Sequence, residues 1–328
     1  MVARGPPSVM QARSARLEGR PGARYARSRA GSHGRGGRRP RRRARMRVAY
    51  FTAGTVGAGH LVRGVALGRA LRRRGAAVEY RMFGPPVPYA AAARDDYEAV
   101  RIAEAELRDP TRARASALAA ALGAFRPDLL VVDLFWAPLR HVLPLPGCEA
   151  WLLVRCCPRA WFEGPPDTRW EPRQFARVVG IEPHRHAAVR ETVEPVVVCN
   201  PEECRPASAL RERLGVPANR RLVVATHAGV RGEMAAVAAG AETAVRMDLH
   251  AADALFPLAE WLGGADAVLA AAGYNAFWEA RWLGYAARTR FTPLRRDVDD
   301  QAWRLHVCSG YAMRANGADV LAGWIAGR

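Results

Sequence analysis

Gly54-Thr55-Val56-Gly57-Ala58-Gly59-His60 and, about 210 residues later, Ala271-Ala272-Gly273-Tyr274-Asn275 are the two stretches on which the fold turns. Each follows a short apolar run, Val48–Thr52 in the first case and Ala267–Ala270 in the second, and each opens an amphipathic stretch. Strand, glycine turn and helix is the repeating unit of a parallel α/β sheet. The first N–H groups of such a helix lack intrahelical partners and carry the positive end of its dipole, so the turn is a ready site for phosphate. Two such units in two halves predict an α/β fold with two Rossmann-like domains facing a cleft, acting on a nucleotide-activated substrate.

Outward from the first turn, His60–Arg74 reads as a helix. Leu61, Val65, Leu67 and Leu71 keep near-helical spacing, Arg63, Arg69, Arg72 and Arg73 lie largely elsewhere, and Gly75 closes it. A strand follows over Ala77–Phe83 and is broken by Gly84-Pro85-Pro86. Residues 111–125 read as an Ala-rich helix, and Arg126-Pro127-Asp128 turns into the strand Leu129–Asp133. Trp151–Arg155 and Arg177–Ile181 are further apolar runs, and Pro158–Pro172 is expected to be an ordered loop or lid. Residues 183–206 hold four prolines and the strand-like Val196–Cys199, which places the junction there and gives domains 46–200 and 201–328. The rhythm then restarts: helix 207–214, strand Leu222–Thr226, a turn at His227-Ala228-Gly229, helix 231–240, strand 243–248 and helix 254–263. Around the second turn lie the strand Ala267–Ala270, a helix over 274–284 and a strand over 286–291, before closing helices over 298–314 and 316–328.

The net charge of +19 suggests nucleic acid until it is located. Residues 1–45 hold fourteen Arg against one Glu, so +13 of it sits in that segment. All fifty basic residues are Arg and none is Lys, a pattern of GC-rich coding rather than of function. Residues 1–45 are therefore expected to be a disordered Arg-rich extension, with Met46 a candidate internal start; a basic arm for nucleic acid or anionic lipid is the competing reading. No apolar core follows the Arg run, which argues against a secretory signal, and no stretch is long enough to span a bilayer. The six Cys include no Cys-x-x-Cys, consistent with reduced thiols in a cytoplasmic protein.

The first turn is not a dinucleotide fingerprint: its glycines do not fit G-x-G-x-x-G, and no acidic residue ends the second strand to hold a ribose. Its distinctive residues are His60 and Arg63, one helical turn apart. His60, at the helix start, is placed to act as a base or to donate to a substrate oxygen, or simply to bond locally. Asp133 ends the third strand and is aimed at the cleft or caps the next element; Trp136 nearby could stack on a sugar. In the second half, phosphate would sit on the N–H groups around Gly273, Tyr274 and Asn275. Glu279, one turn deeper, offers a carboxylate able to accept two ribose hydroxyls; the alternative is a solvated helix Glu. His227 and Gly229 end the first strand of that half as a further phosphate contact, and Arg295 and Arg296 could neutralise a diphosphate. Asp297-Val298-Asp299-Asp300-Gln301 contains a literal Asp-x-Asp, but acidic residues at a helix start serve as caps, and the preferred reading is Asp300 and Gln301 on sugar hydroxyls. His184-x-His186 lacks a third nearby ligand and reads as junction loop.

These residues resemble the GT-B glycosyltransferases, especially the MurG-type lipid-linked N-acetylglucosamine transferases. Met46–Gly75 is similar to their opening, Phe125–Asp133 to their Arg-Pro-Asp segment, and Ala265–Gln301 to their donor-site signature. The resemblance implies a nucleotide-sugar donor, usually a UDP-sugar, in the C-terminal half, a small-molecule or lipid-linked acceptor in the N-terminal half, and no required metal or cofactor. It implies Gly273 to Asn275 on the diphosphate, Glu279 on the ribose, Asp300 and Gln301 on the donor sugar, and His60 on the acceptor or diphosphate side. Together with the strand-end reading, it makes His60 and Asp133 the catalytic candidates, and Gly57, Gly59 and Arg63 acceptor or diphosphate contacts. A lipid-linked acceptor would bring peripheral contact with a membrane. Gly57-Ala58-Gly59-His60-Leu61-Val62-Arg63 also looks like the Gly-x-Gly-His-x-x-Arg of nucleotide-sugar hydrolases on the same fold, in which water attacks. A sugar-nucleotide-binding protein without turnover is the third reading.

Overall fold

Eleven strands form two parallel sheets among the described residues of the computed structural model, which are 45–54, 57–87, 93, 96–162, 174–183, 186–230, 232–248 and 254–328. The first sheet holds β1 (Met46–Phe51), β2 (Val78–Gly84), β3 (Tyr97–Ala99), β4 (Leu129–Asp133), β5 (Glu149–Val154), β6 (Arg177–Gly180) and β7 (Glu191–Thr192), in the order β3-β2-β1-β4-β5-β6-β7. The second holds β8 (Val223–His227), β9 (Val245–Asp248), β10 (Ala267–Ala271) and β11 (Thr289–Thr292), in the order β11-β10-β8-β9. Every pairing is parallel. Both sheets lie within one compact unit, Ala44–Arg328.

The near-continuous apolar strands follow from burial on both faces. Along β1, Val48 and Tyr50 enter one core, while Ala49 and Phe51 enter the other. The helix Gly59–Arg73 buries Leu61, Val65, Leu67 and Leu71 on the first of these. The closing helix Gly317–Ala326 returns to this same core with Ala318, Leu321, Ala322 and Ile325, so the end of the second half packs against the first. Ion pairs from Arg73 to Asp319 and from Arg328 to Glu149 flank it.

Several expected elements are altered for local reasons. The helix over 111–125 is broken into Pro110–Arg114, capped by Asp109, and Ala117–Phe125, capped by Ser116. Val196–Cys199 is buried but forms no strand: Val196 N–H donates to the Tyr274 hydroxyl (2.7 Å) and Val197 N–H to Asn316 Oδ1 (3.3 Å), so side chains of the second half take the place of a ladder. The helix over 254–263 is replaced by short turns at Leu258–Glu260 and Leu262–Gly264, as Pro257 and the Gly263-Gly264 pair dictate. The helix over 298–314 shortens to Gln301–Val307. β3 and β7 are strands of three and two residues that no periodicity announces. The Arg-rich segment 1–44, Thr55, Val56, most of the 158–172 loop and His184 lie outside the described residues.

Candidate active site

The C-terminal strand edges of both sheets open on one cavity of about 1010 Å³. That is where ligands sit in open parallel α/β sheets. Its walls carry Gly54, Gly59, His60, Arg63 and Arg155 from the first half, and His227, Gly229, Gly273, Tyr274, Asn275, Glu279, Arg296 and Gln301 from the second.

The two glycine turns meet directly. Gly57 has φ +76°, and a Cβ there would lie 2.6 Å from the Ala228 carbonyl oxygen, so only glycine fits. The next amide, Ala58 N–H, donates to that same oxygen (3.2 Å). Asn275 Nδ2 donates to the Gly59 carbonyl (3.1 Å), and Arg63 Nη1 donates to Asn275 Oδ1 (3.2 Å).

On the first side, β4 ends in Asp133, which is buried with His60, Arg63 and Tyr50. Arg63 donates through Nε to Asp133 Oδ2 (3.0 Å) and through Nη2 to Oδ1 (3.1 Å), and the Tyr50 hydroxyl donates to Oδ2 (2.6 Å). Burial alone would raise the Asp133 carboxyl, but the Arg63 guanidinium beside it holds it well below the usual carboxylate range. His60 Nδ1 lies 2.9 Å from Arg63 Nη2 and 3.2 Å from Asp133 Oδ2. Burial, with Arg63 adding to it against the pull of Asp133, lowers the imidazole to about 4, so it is neutral at physiological pH. A Cβ on Gly54 would strike the ring at 2.6 Å, and Phe135 lies against it with centroids 4.9 Å apart.

On the second side, Gly273 starts the helix Tyr274–Trp282 with no side-chain cap. The first intrahelical bond is Phe277 N–H to the Gly273 carbonyl (3.0 Å), so the amides of Tyr274, Asn275 and Ala276 precede the ladder. Glu279, one turn on, is 9% exposed, and its Oε1 has no hydrogen-bond partner. Burial pushes its carboxyl up to about 7. Gln301 is buried, accepting from Leu294 N–H (2.9 Å) and donating to Asp299 Oδ2 (3.1 Å). His227 Nε2 lies 2.7 Å from Glu233, which also pairs with Arg296.

Three expected contacts take other roles. Arg63 is 1% exposed, and four of its five N–H groups are engaged by Asp133, His60 and Asn275, so its first role is to brace the two halves. The Tyr274 side chain turns away from the cavity, its hydroxyl donating to the Ile181 carbonyl (2.6 Å) and accepting from Val196 N–H, which leaves only its backbone for phosphate. Asp300 caps its own helix by accepting from Trp303 N–H (2.9 Å) and does not line the cavity, whereas Asp299 does.

The sequence reading missed the other brace. Arg304 is fully buried and donates to both carboxylate oxygens of Glu182 (2.9 Å each), to Asp299 (2.6 Å) and to the Ala272 carbonyl (3.0 Å). Glu182 also accepts from Cys156 N–H (2.8 Å) and Trp278 Nε1 (2.8 Å). A charge inside an apolar run, as in Ile181-Glu182 or Trp303-Arg304-Leu305, was the available signal. Arg155, following β5 into the cavity with Asp299 at 4.0 Å, was also missed.

Among the described residues no cluster of three His, Cys, Asp or Glu side chains is placed to hold a metal, and no helix is long and apolar enough to cross a membrane. No family model and no curated protein matches the chain. Solved structures do. The spinosyn forosaminyltransferase SpnP superposes with a TM-score of 0.52 at 14% identity, over 86% of this chain and 90% of its own. The glycosyltransferase SsfS6 of Streptomyces sp. SF2575 gives 0.50 at 12% identity, over 86% and 95%. The fold is that of the GT-B glycosyltransferases. In GT-B terms, the uncapped helix at Gly273 lies on the C-terminal side of the cleft, and the His60–Asp133 pair on the N-terminal side.

Proposed function

We propose that the protein transfers a sugar from a nucleoside diphosphate sugar, a UDP-sugar in the first instance, to a hydroxyl acceptor. The observation that carries this reading is the pairing, on one helix that lines the cavity, of an uncapped N-terminus with a buried carboxyl one turn deeper whose Oε1 has no hydrogen-bond partner. The amides at Tyr274 to Ala276 suit the diphosphate, and Glu279 suits two ribose hydroxyls once ionised. The likeness in fold to glycosyltransferases supports the same reading.

In the reaction, the bond from the anomeric carbon to the diphosphate breaks with its electron pair leaving on the phosphate oxygen, while the acceptor oxygen bonds to that carbon and gives up its proton to solvent. The helix dipole and the Arg155 and Arg296 side chains in the cavity wall stabilise the developing charge without a metal. At the acceptor end, Leu107, Phe135 and Pro138 share the lining with Glu104, Arg108, Arg140 and His141, a wall that suits an apolar acceptor bearing polar substituents. A cytoplasmic enzyme acting on a small-molecule or lipid-linked acceptor fits this arrangement.

Thermal shift of the full chain against UDP, GDP, CMP and dTDP, with and without EDTA, tests the donor site. Stabilisation by one nucleoside diphosphate, unchanged by EDTA and lost in Glu279→Ala, is the expected result. No shift with any nucleotide at millimolar concentration would overturn the reading.

A further inference from the structure

The hydrogens around His60 can be counted, and they do not leave it free to be a base. Arg63 keeps its charge at all physiological pH, so each of its N–H groups is a donor and none accepts. Its Nε hydrogen goes to Asp133 Oδ2 and one Nη1 hydrogen to Asn275 Oδ1. Nη2 carries two, one directed at Asp133 Oδ1 (3.1 Å) and the other at His60 Nδ1 (2.9 Å). The nearest alternative partner for Nδ1 is Asp133 Oδ2 at 3.2 Å, but that oxygen already receives the Tyr50 hydroxyl at 2.6 Å and Arg63 Nε at 3.0 Å, which fill its two lone pairs. A proton on Nδ1 would set two N–H groups against each other inside a buried cluster and leave an Arg63 hydrogen without an acceptor, a costly arrangement where water cannot enter.

We propose that Arg63 is a positioning residue that fixes His60 as its Nε2–H tautomer, so that His60 faces the sugar nucleotide as a neutral hydrogen-bond donor and not as a general base. The Nδ1 edge is turned to Arg63 and Asp133, and His60 lines the cavity, so the opposite edge carries the N–H outward. The groups that bear on its charge are Asp133, which favours the imidazolium, and Arg63 and Arg155, which oppose it; with burial, the opposition prevails. A neutral donor at this place suits a phosphate or glycosidic oxygen gaining charge as the bond to the anomeric carbon breaks. The acceptor's proton is then not taken by His60. The assignment to sugar nucleotide rests on the glycosyl-transfer reading; the tautomer does not.

The test is long-range proton–nitrogen correlation NMR on the full chain with histidine ring nitrogens labelled, His60 being assigned by its loss in His60→Gln. The expected spectrum has Nδ1 at the unprotonated position and Nε2 at the protonated one, unchanged between pH 8 and pH 5. Arg63→Met is expected to reverse the pattern, with Nδ1–H turning to Asp133, an effect that loss of packing alone would not produce. If that variant does not fold, the wild-type spectrum decides alone. Nδ1–H with a bare Nε2 in wild type, or an average of both tautomers, would overturn the proposal. The nucleotide reading stands or falls separately on the thermal-shift panel, because the tautomer is read without ligand.

Discussion

Replacing Glu279 by Gln is the sharpest probe of the cavity, because structure and charge give a signed magnitude. The carboxyl is buried with Oε1 unpaired, and burial lifts it from 4.5 to about 7. A group whose folded value is raised binds its proton more tightly in the folded state, so stability is fully present below the unfolded value and is lost as pH rises toward the folded one. At ~1.4 kcal/mol per pH unit, the loss amounts to roughly 3 kcal/mol above pH 7, of which about 2 kcal/mol accrues between pH 5 and pH 8. Gln has the same shape and no proton to lose, so its own packing cost is constant with pH. The Tm of Glu279→Gln minus that of wild type is therefore expected to rise by about 4 °C from pH 5 to pH 8, at ~2 °C per kcal/mol for a chain of this size. With UDP present the ranking at pH 8 should reverse, because two ribose hydroxyls donating to the carboxylate offset its isolation while the amide accepts less well; charge-assisted bonds of ~1.5–3 kcal/mol correspond to about tenfold to hundredfold in affinity. Thermal unfolding at several pH values, with and without UDP, reads both effects. A Tm difference flat from pH 5 to pH 8 would refute the reasoning, since the carboxyl would then be neither isolated nor held protonated by burial.

Three further outcomes are expected. Glu182→Ala strips buried Arg304 of its bidentate partner and leaves it Asp299, and should cost ~3 kcal/mol in urea unfolding; adding Arg304→Met should cost less than the sum of the single changes, and strict additivity would deny the pair. Gly57→Ala puts a Cβ 2.6 Å from the Ala228 oxygen at φ +76°, and should lower Tm by several degrees and abolish the UDP-induced shift by parting the first glycine turn from the His227-Ala228-Gly229 turn; an unchanged shift would show that this contact is dispensable. Tyr274→Phe removes a hydroxyl bonded to Ile181 and Val196 and should cost ~1–3 kcal/mol, with the UDP shift preserved because only the backbone of residue 274 faces phosphate; loss of the shift in a folded variant would contradict that placement.

Local pattern carried the architecture. Glycine after an apolar run leaves few choices for a chain that must bury its strands on both faces, and so β1, β4, β8 and β10, with the helices that follow β1 and β10, could be read to within a few residues. The same logic placed His60 and Gly273 at helix starts on the cleft, with Glu279 one turn deeper, because parallel sheets open at their C-terminal edges; Asp133, at its strand end, is buried and does not line the cavity. Where short-range signals conflicted, the reading failed: Pro257 broke an expected helix, and Val196–Cys199, apolar enough for a strand, found its hydrogen bonds in Tyr274 and Asn316 instead.

By itself the sequence determined which residues line the two turns and that both turns serve one kind of fold. What Arg63, Tyr274 and Asp300 do was decided only by tertiary structure. A side chain's role depends on which donors and acceptors reach it from elsewhere in the chain, and those lie far off in sequence: Asp133 is 70 residues from Arg63, and Asn275 is 212. Periodicity reports which face a residue occupies. It carries no information about the hydrogen bonds that join Arg63 and His60 of one helix to Asp133 of β4, which exist only once the two segments have been packed away from water.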